Sequence, residues 1–296
     1  MKSENTISQS KPLPAQPRRN TGAWVRTRVL RPALSHAVMI LTVLFIMFPM
    51  LYALLLASQT PSQYYNLSFI PGSALIENIG HAWTRVNMGR LLLNTGIVAV
   101  TVALGKILLS VIGSFAFVYF DFRGKGLLFG LILITHMLPL PVRIVPTFAL
   151  MDALDWTNSF KALTIPFLAS ATGILLFRQL YQTIPPALAD AARIDGATPL
   201  QFLYRIVIPL SATNIAALFL IEFIYMWNQY LWPLLIANAD NTRMVQIGLR
   251  QLVATDAAIE WHYVMSGVIL AAIPPLILLV ILQRNLIRGV ALYEDK

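Results

Sequence analysis

The sequence predicts an all-α integral membrane protein with six transmembrane helices. Three observations carry that prediction: a charge-poor composition, six apolar runs of spanning length, and basic residues that alternate between the two sides those runs define. Hydrophobic residues make up 57% of the 296 positions and charged residues 12%. Soluble domains carry about a quarter charged residues, so a water-soluble enzyme is excluded as the first reading. One span needs about 20 apolar residues, and six leave room for loops but not for a second domain of ordinary size. No cysteine is present, which excludes disulfides, a thiolate nucleophile and a Cys-based metal site.

Residues 1–34 are polar and basic, with Pro12, Pro14, Pro17 and seven Lys or Arg, and read as an N-terminal tail. The run at about 36–57 is too long for the core of a cleavable signal peptide and reads as a retained first span. Further runs at about 91–119, 127–148, 162–181, 211–237 and 261–283 complete a six-span domain over 35–283, with a C-terminal tail at 284–296. Of the 22 Lys and Arg, 15 fall on the side of the two tails and five on the other: Arg85, Arg90, Lys161, Arg243 and Arg250. The positive-inside rule then puts both termini in the cytoplasm. The net charge of +9 is thereby explained by orientation rather than by nucleic-acid binding.

The segment 182–210, between the fourth and fifth runs, is the longest loop on the basic side. Pro185 and Pro186 fit only the first turn of a helix, where the missing amide would be unpaired anyway. Helix formers follow to Ile194, and Gly196 supplies a stop. Thr198, Pro199 and Gln201 fit a new start with Thr as N-cap and Gln closing a capping box. The spacing predicts two short helices joined at Asp195-Gly196, with Ala189, Ala191 and Ala192 exposed for close approach of a partner. An amphipathic helix tethered to the membrane surface fits the same pattern.

The residues separate these readings. Asp190-Ala-Ala-Arg-Ile-Asp195-Gly196-Ala197, followed by Pro209, resembles the EAA coupling loop of ABC-importer permease subunits, with Asp190 in place of the family's leading Glu. Phe223-Ile-Tyr-Met-Trp227-Asn228-Gln229-Tyr230-Leu-Trp232-Pro233 is similar to the fifth-span signature of carbohydrate-type importer permeases. Leu138-Pro139, Val142-Arg143-Ile144, Phe177-Arg178-Gln179 and Gln283-Arg284-Asn285-Leu286 extend the resemblance across nearly the whole chain beyond residue 35, nearest to the branch that imports sn-glycerol-3-phosphate. The resemblance implies a type I importer permease fold in a bacterial inner membrane. It also implies docking of an ATP-binding subunit by Asp190, Ala191, Ala192, Asp195, Gly196, Ala197 and Pro209. The partners it implies are a second, different six-span subunit, two ATP-binding subunits and a periplasmic or lipid-anchored solute-binding protein. The substrate it implies is sn-glycerol-3-phosphate or a glycerophosphodiester, with a neutral sugar or oligosaccharide as the alternative.

No Walker-type G-x-x-x-x-G-K-[ST] occurs, so ATP and Mg are expected on a partner and no cofactor on this chain. Lys106 and Glu222 fall near the middles of their runs and are expected to pair, fixing helix packing or contacting substrate. Arg143 lies in a run interrupted by Pro139, Pro141 and Pro146, where broken backbone fits a cavity lining. Its guanidinium suits a phosphate fork, and snorkelling to the surface is the other reading. Trp227, Asn228, Gln229 and Tyr230 mix aromatic faces with amides, as polyol recognition needs and as an interfacial belt also shows. His36, His81, His136 and His262 lack ligand spacing, so no metal site is expected. A secondary transporter would carry repeated halves, and a membrane enzyme would need a converging carboxylate pair or metal cluster; neither pattern is visible.

Overall fold

The structure, a computed structural model, describes residues 31–253 and 259–294. Residues 1–30, most of the N-terminal tail read from the sequence, lie outside the described residues. All regular secondary structure among the described residues is helical. The chain divides into two units, Met1–Tyr52 and Ala53–Lys296. Helix α1 (Arg31–Ser58) begins in the first unit, where its side chains from Leu34 to Tyr52 are exposed, as suits a helix that meets lipid.

The second unit is built around one long helix. After α2 (Leu75–Arg85), the chain turns through Asn87 in the left-handed region and enters α3 (Met88–Tyr119). No proline interrupts these 32 residues, and apolar side chains from Leu91 to Phe117 are buried along the helix. Against α3 pack α6 (Ala171–Thr183) and α8 (Ala212–Trp227), while α10 (Trp261–Glu294) covers α8 and α2. Helices α4 (Lys125–Met137) and α5 (Leu140–Ala153) precede α6. Helix α7 (Pro186–Ile194) follows it, and α9 (Val245–Val253) lies before α10. Small residues allow the α3–α6 approach: Ser114 Oγ donates to the Ile174 carbonyl at 2.7 Å. A Cβ on Gly173 would meet Ser110 Oγ at 2.2 Å. In a membrane, where lipid competes equally for apolar surface, this close packing is a main source of helix association.

The apolar runs are interrupted where proline and polar residues dictate. Leu138 is extended (φ −75°, ψ 115°), because the ring of Pro139 disfavours helical geometry in the residue before it; the third run is therefore two helices. The fourth run passes through a 3-10 turn at Ile165–Phe167 that contains Pro166, and restarts at Ser170, with a bend of 41°. At the start of the fifth run, Pro199–Leu210 of the preceding loop meets Ala212–Trp227 at a bend of 74°. There Leu203–Val207 is a π segment, Pro209 cannot donate its amide, and Ser211 Oγ returns a hydrogen bond to the Val207 carbonyl at 2.6 Å.

One sequence expectation is corrected. The run at 211–237 is not one helix but Ala212–Trp227 and Leu231–Ile236, with the Asn228 side chain donating to the Ile224 carbonyl where the first of them ends. The last apolar run has spanning length over Trp261–Gln283, and its helix continues to Glu294. Among the described residues three helices are long and apolar enough to cross a membrane, or five if each bent pair is one span.

Gly173→Val should lower the thermal stability of the detergent-solubilised protein by about 1–3 kcal/mol, the usual cost of overpacking. Gly126→Val, where an added Cβ meets nothing within 4 Å, is the control. Equal melting temperatures for the two variants would refute the close α3–α6 contact.

Candidate functional site

The structure brings Lys106 of α3 and Glu222 of α8 together inside the bundle. Lys106 Nζ stands 2.6 Å from Glu222 Oε2, with side chains 9% and 8% exposed. The other carboxylate oxygen accepts a 3.2 Å hydrogen bond from Ser170 Oγ. Ser170 sits at the break of the fourth run and also accepts from the Gly173 amide, capping α6. Lys106 Nζ lies 5.1 Å from the Tyr225 ring centroid, a favourable cation–π placement. Both carboxylate oxygens are thus partnered, while the ammonium, with three donors, makes one hydrogen bond among the described residues.

The pair does not close on itself. It borders a cavity of about 520 Å³ whose lining includes Arg143, Thr135, Ser170 and Thr172. Arg143 is exposed and forms no ion pair among the described residues. Two helix breaks frame this space: the one at Leu138-Pro139 and the one at 168–170. Ser170 and Thr172 carried no signal in the sequence; Pro166 was the one clue that the fourth run breaks there.

The aromatic and amide residues after α8 are placed elsewhere. Trp227 is 2% exposed and its indole N–H donates to the Ala271 carbonyl of α10 at 3.0 Å. Its ring stacks on Phe223 at 5.3 Å, so it offers no free face to a solute. Trp232 donates to the Ala162 carbonyl at 3.0 Å. Gln229 is buried, Asn228 is exposed, and the Tyr230 hydroxyl accepts from Arg250 at 2.8 Å. None of these five residues lines the Lys106–Glu222 cavity.

The loop at 182–210 forms a second site. Helix α7 ends at Asp195, Gly196 takes φ +74°, and Thr198 caps Pro199–Phe202 with a complete capping box to Gln201. Phe202 inserts among Phe115, Phe177 and Tyr181 and anchors the loop on α3 and α6. Of the three alanines expected to be exposed, only Ala191 is. Ala192 is 7% exposed and Ala189 half-buried, because residues three apart share a helix face and that face lies against Phe115 and Phe202. Asp190, Ala191, Asp195 and Gly196 face outward. Asp190 forms a 3.3 Å ion pair with Arg193, and Ile194 and Leu200 are 86% and 70% exposed beside it. Ala197 is half-buried and its amide donates to the Ala192 carbonyl at 2.9 Å. Pro209 is exposed and lies at the elbow into α8.

A folded loop packed on the bundle and a charged cavity between broken helices suit a transport component, and the comparisons agree. Residues 107–292 match the family described as binding-protein-dependent transport system inner membrane component. The chain belongs to that family. This importer component is 42% identical over 275 residues to the sn-glycerol-3-phosphate transport system permease protein UgpE of Brucella melitensis, covering 90% of this chain and 98% of that one. It is also 42% identical to the proteins of the same name from Yersinia pestis and Escherichia coli, over 86% of this chain and 94% of theirs. Among solved structures, a bacterial ABC transporter involved in the import of the acidic polysaccharide alginate shares its fold, with a TM-score of 0.76 at 20% identity over 88% of this chain and 97% of that one. A bacterial alginate ABC transporter in complex with an alginate pentasaccharide-bound periplasmic protein gives a TM-score of 0.62 at 15% identity, covering 88% and 94% of the two chains.

Thr198→Ala removes the cap of the second loop helix and should cost about 1 kcal/mol locally. Hydrogen exchange of the amides at 199–202 should quicken about fivefold, the factor that 1 kcal/mol represents. Unchanged exchange there would show that the capping box does not hold the loop.

Proposed function

We propose that this chain is the permease subunit of an ATP-driven importer, forms half of its translocation pathway, and carries sn-glycerol-3-phosphate or glycerophosphodiesters. The observation that carries the substrate is the 42% identity, along nearly the whole length of both chains, to relatives named for sn-glycerol-3-phosphate transport. ATP and Mg bind a separate ATPase subunit. The full assembly contains a second, different membrane subunit, two ATPase subunits and a periplasmic or lipid-anchored solute-binding protein. Six spans are formed by α1, α3, the α4–α5 pair, the bent pair ending in α6, α8 and α10. The six-span domain occupies 35–283 in a bacterial inner membrane, and both termini are cytoplasmic, as the distribution of Lys and Arg supports.

The loop at 182–210 docks the ATPase subunit. Its outward face supplies Asp190, Ala191, Asp195 and Gly196, while Ala192, Ala197 and Pro209 hold its shape. The exposed Ile194 and Leu200 give apolar area to bury, and the carboxylates give charge for basic groups. Asp190→Lys reverses that charge. Gly196→Pro demands a positive φ that proline cannot adopt and removes an amide that donates to the Arg193 carbonyl at 3.1 Å. Either variant should insert normally and lose uptake; normal uptake at normal expression would refute the docking assignment.

The substrate is tested by ATP hydrolysis of the whole reconstituted complex with its own binding protein. Sn-glycerol-3-phosphate and a glycerophosphodiester should stimulate hydrolysis, and maltose should leave it at the level without solute. Stimulation by maltose alone would overturn the phosphorylated substrate and leave the permease role standing.

A further inference from the structure

We propose that the cavity between α3, α5 and α8 is a transit site for the phosphate group of the solute, held by Arg143 and Lys106, with Glu222 as a resident carboxylate that occupies Lys106 between passages and helps release the anion. The proposal rests on the reading of the solute as phosphorylated. Its volume of about 520 Å³ falls in the range of small-molecule sites, about 300–1,000 Å³. Its charged lining is two cations and one carboxylate: Arg143, Lys106 and Glu222. That leaves one net positive charge for an anion, in a low-dielectric setting where charge counts for more than in water.

The donor inventory distinguishes a site from a packing device. Each oxygen of Glu222 has a partner, Lys106 or Ser170, whereas the Lys106 ammonium uses one of its three donors among the described residues. Lys106 borders the cavity, as does Arg143, which makes no ion pair among the described residues. A guanidinium grips two phosphate oxygens at once and an ammonium adds a point charge. A buried pair is also weak evidence of a purely stabilising role, since apolar replacements of similar volume often hold helices as well. Passage requires binding strong enough to admit the anion and weak enough to release it. Glu222, 2.6 Å from Lys106, provides that competition: the ammonium exchanges one anionic oxygen for another and is never left buried without a partner.

The test uses the complete importer in proteoliposomes, with import of radiolabelled glycerol-3-phosphate and ATP hydrolysis measured together. Arg143→Gln and Lys106→Met should raise the ATP consumed per solute imported about tenfold, in line with loss of a charge-assisted hydrogen bond, and Arg143→Lys should recover part of the loss. The double variant Lys106→Met/Glu222→Leu removes both buried charges together. It should copurify with its ATPase subunit and retain the raised ratio. A wild-type ratio in that double variant would reduce the pair to packing, and a wild-type ratio in Arg143→Gln would remove the cavity from the pathway. Arg143 is exposed, so its variant decides the matter even if the buried single variant fails to assemble. Absence of any glycerol-3-phosphate-stimulated hydrolysis in the wild type would instead remove the proposed substrate, a different failure from unchanged ratios in a stimulated complex.

Discussion

A helix that breaks inside a membrane leaves carbonyl and amide groups for which lipid has no partner, and each must find one within the protein. Side chains at the breaks of this chain supply part of that hydrogen bonding. Ser170 caps the restart of the fourth run by accepting from the Gly173 amide, while Ser211 Oγ and Asn228 Nδ2 add second hydrogen bonds to the Val207 and Ile224 carbonyls, which also accept backbone amides. Trp227 and Trp232 donate their indole protons to carbonyls of other helices. Hydroxyl, amide and indole donors at these positions are therefore structural requirements of a bent-span architecture.

The same breaks open space inside the bundle. Straight, continuous helices around α3 would close on one another along small residues, as α6 does where Gly173 meets Ser110. Where α4 gives way to α5 and where the fourth run bends, the walls part and leave the cavity that Arg143, Lys106 and Glu222 line. A charge inside a span is expensive unless it is paired or wet; Lys106 and Glu222 pair, and Arg143 borders the cavity.

Two helices connect this cavity with the loop at 182–210. Helix α3 carries Lys106 along its length and Phe115 and Tyr119 near its end, where Phe202 of the loop packs. Helix α8 carries Glu222 and Tyr225, and the loop runs directly into it through the elbow at Ser211. The loop thus packs on one of the two helices that carry the buried ion pair and leads, through a π segment and a bend of 74°, into the other.

Local chemistry was legible in the sequence wherever it depended on near neighbours. The apolar runs, the proline break at Leu138-Pro139, the turn at Gly196 and the capping box of Thr198 and Gln201 all arise from residues within a turn or two of each other, so the order of residues alone determined them. The family resemblance was legible for the same reason, since its motifs are short and contiguous. The partnership of Ser170 with Glu222, the inward turn of Ala192, the burial of Trp227 and the meeting of Arg143 with the Lys106–Glu222 pair in one cavity were decided only by tertiary structure. Each depends on which face of one helix meets which face of another, across 37 to 116 positions of sequence. A composition or a periodicity says how much of a helix is apolar, but the packing of bent spans decides where its few polar groups point.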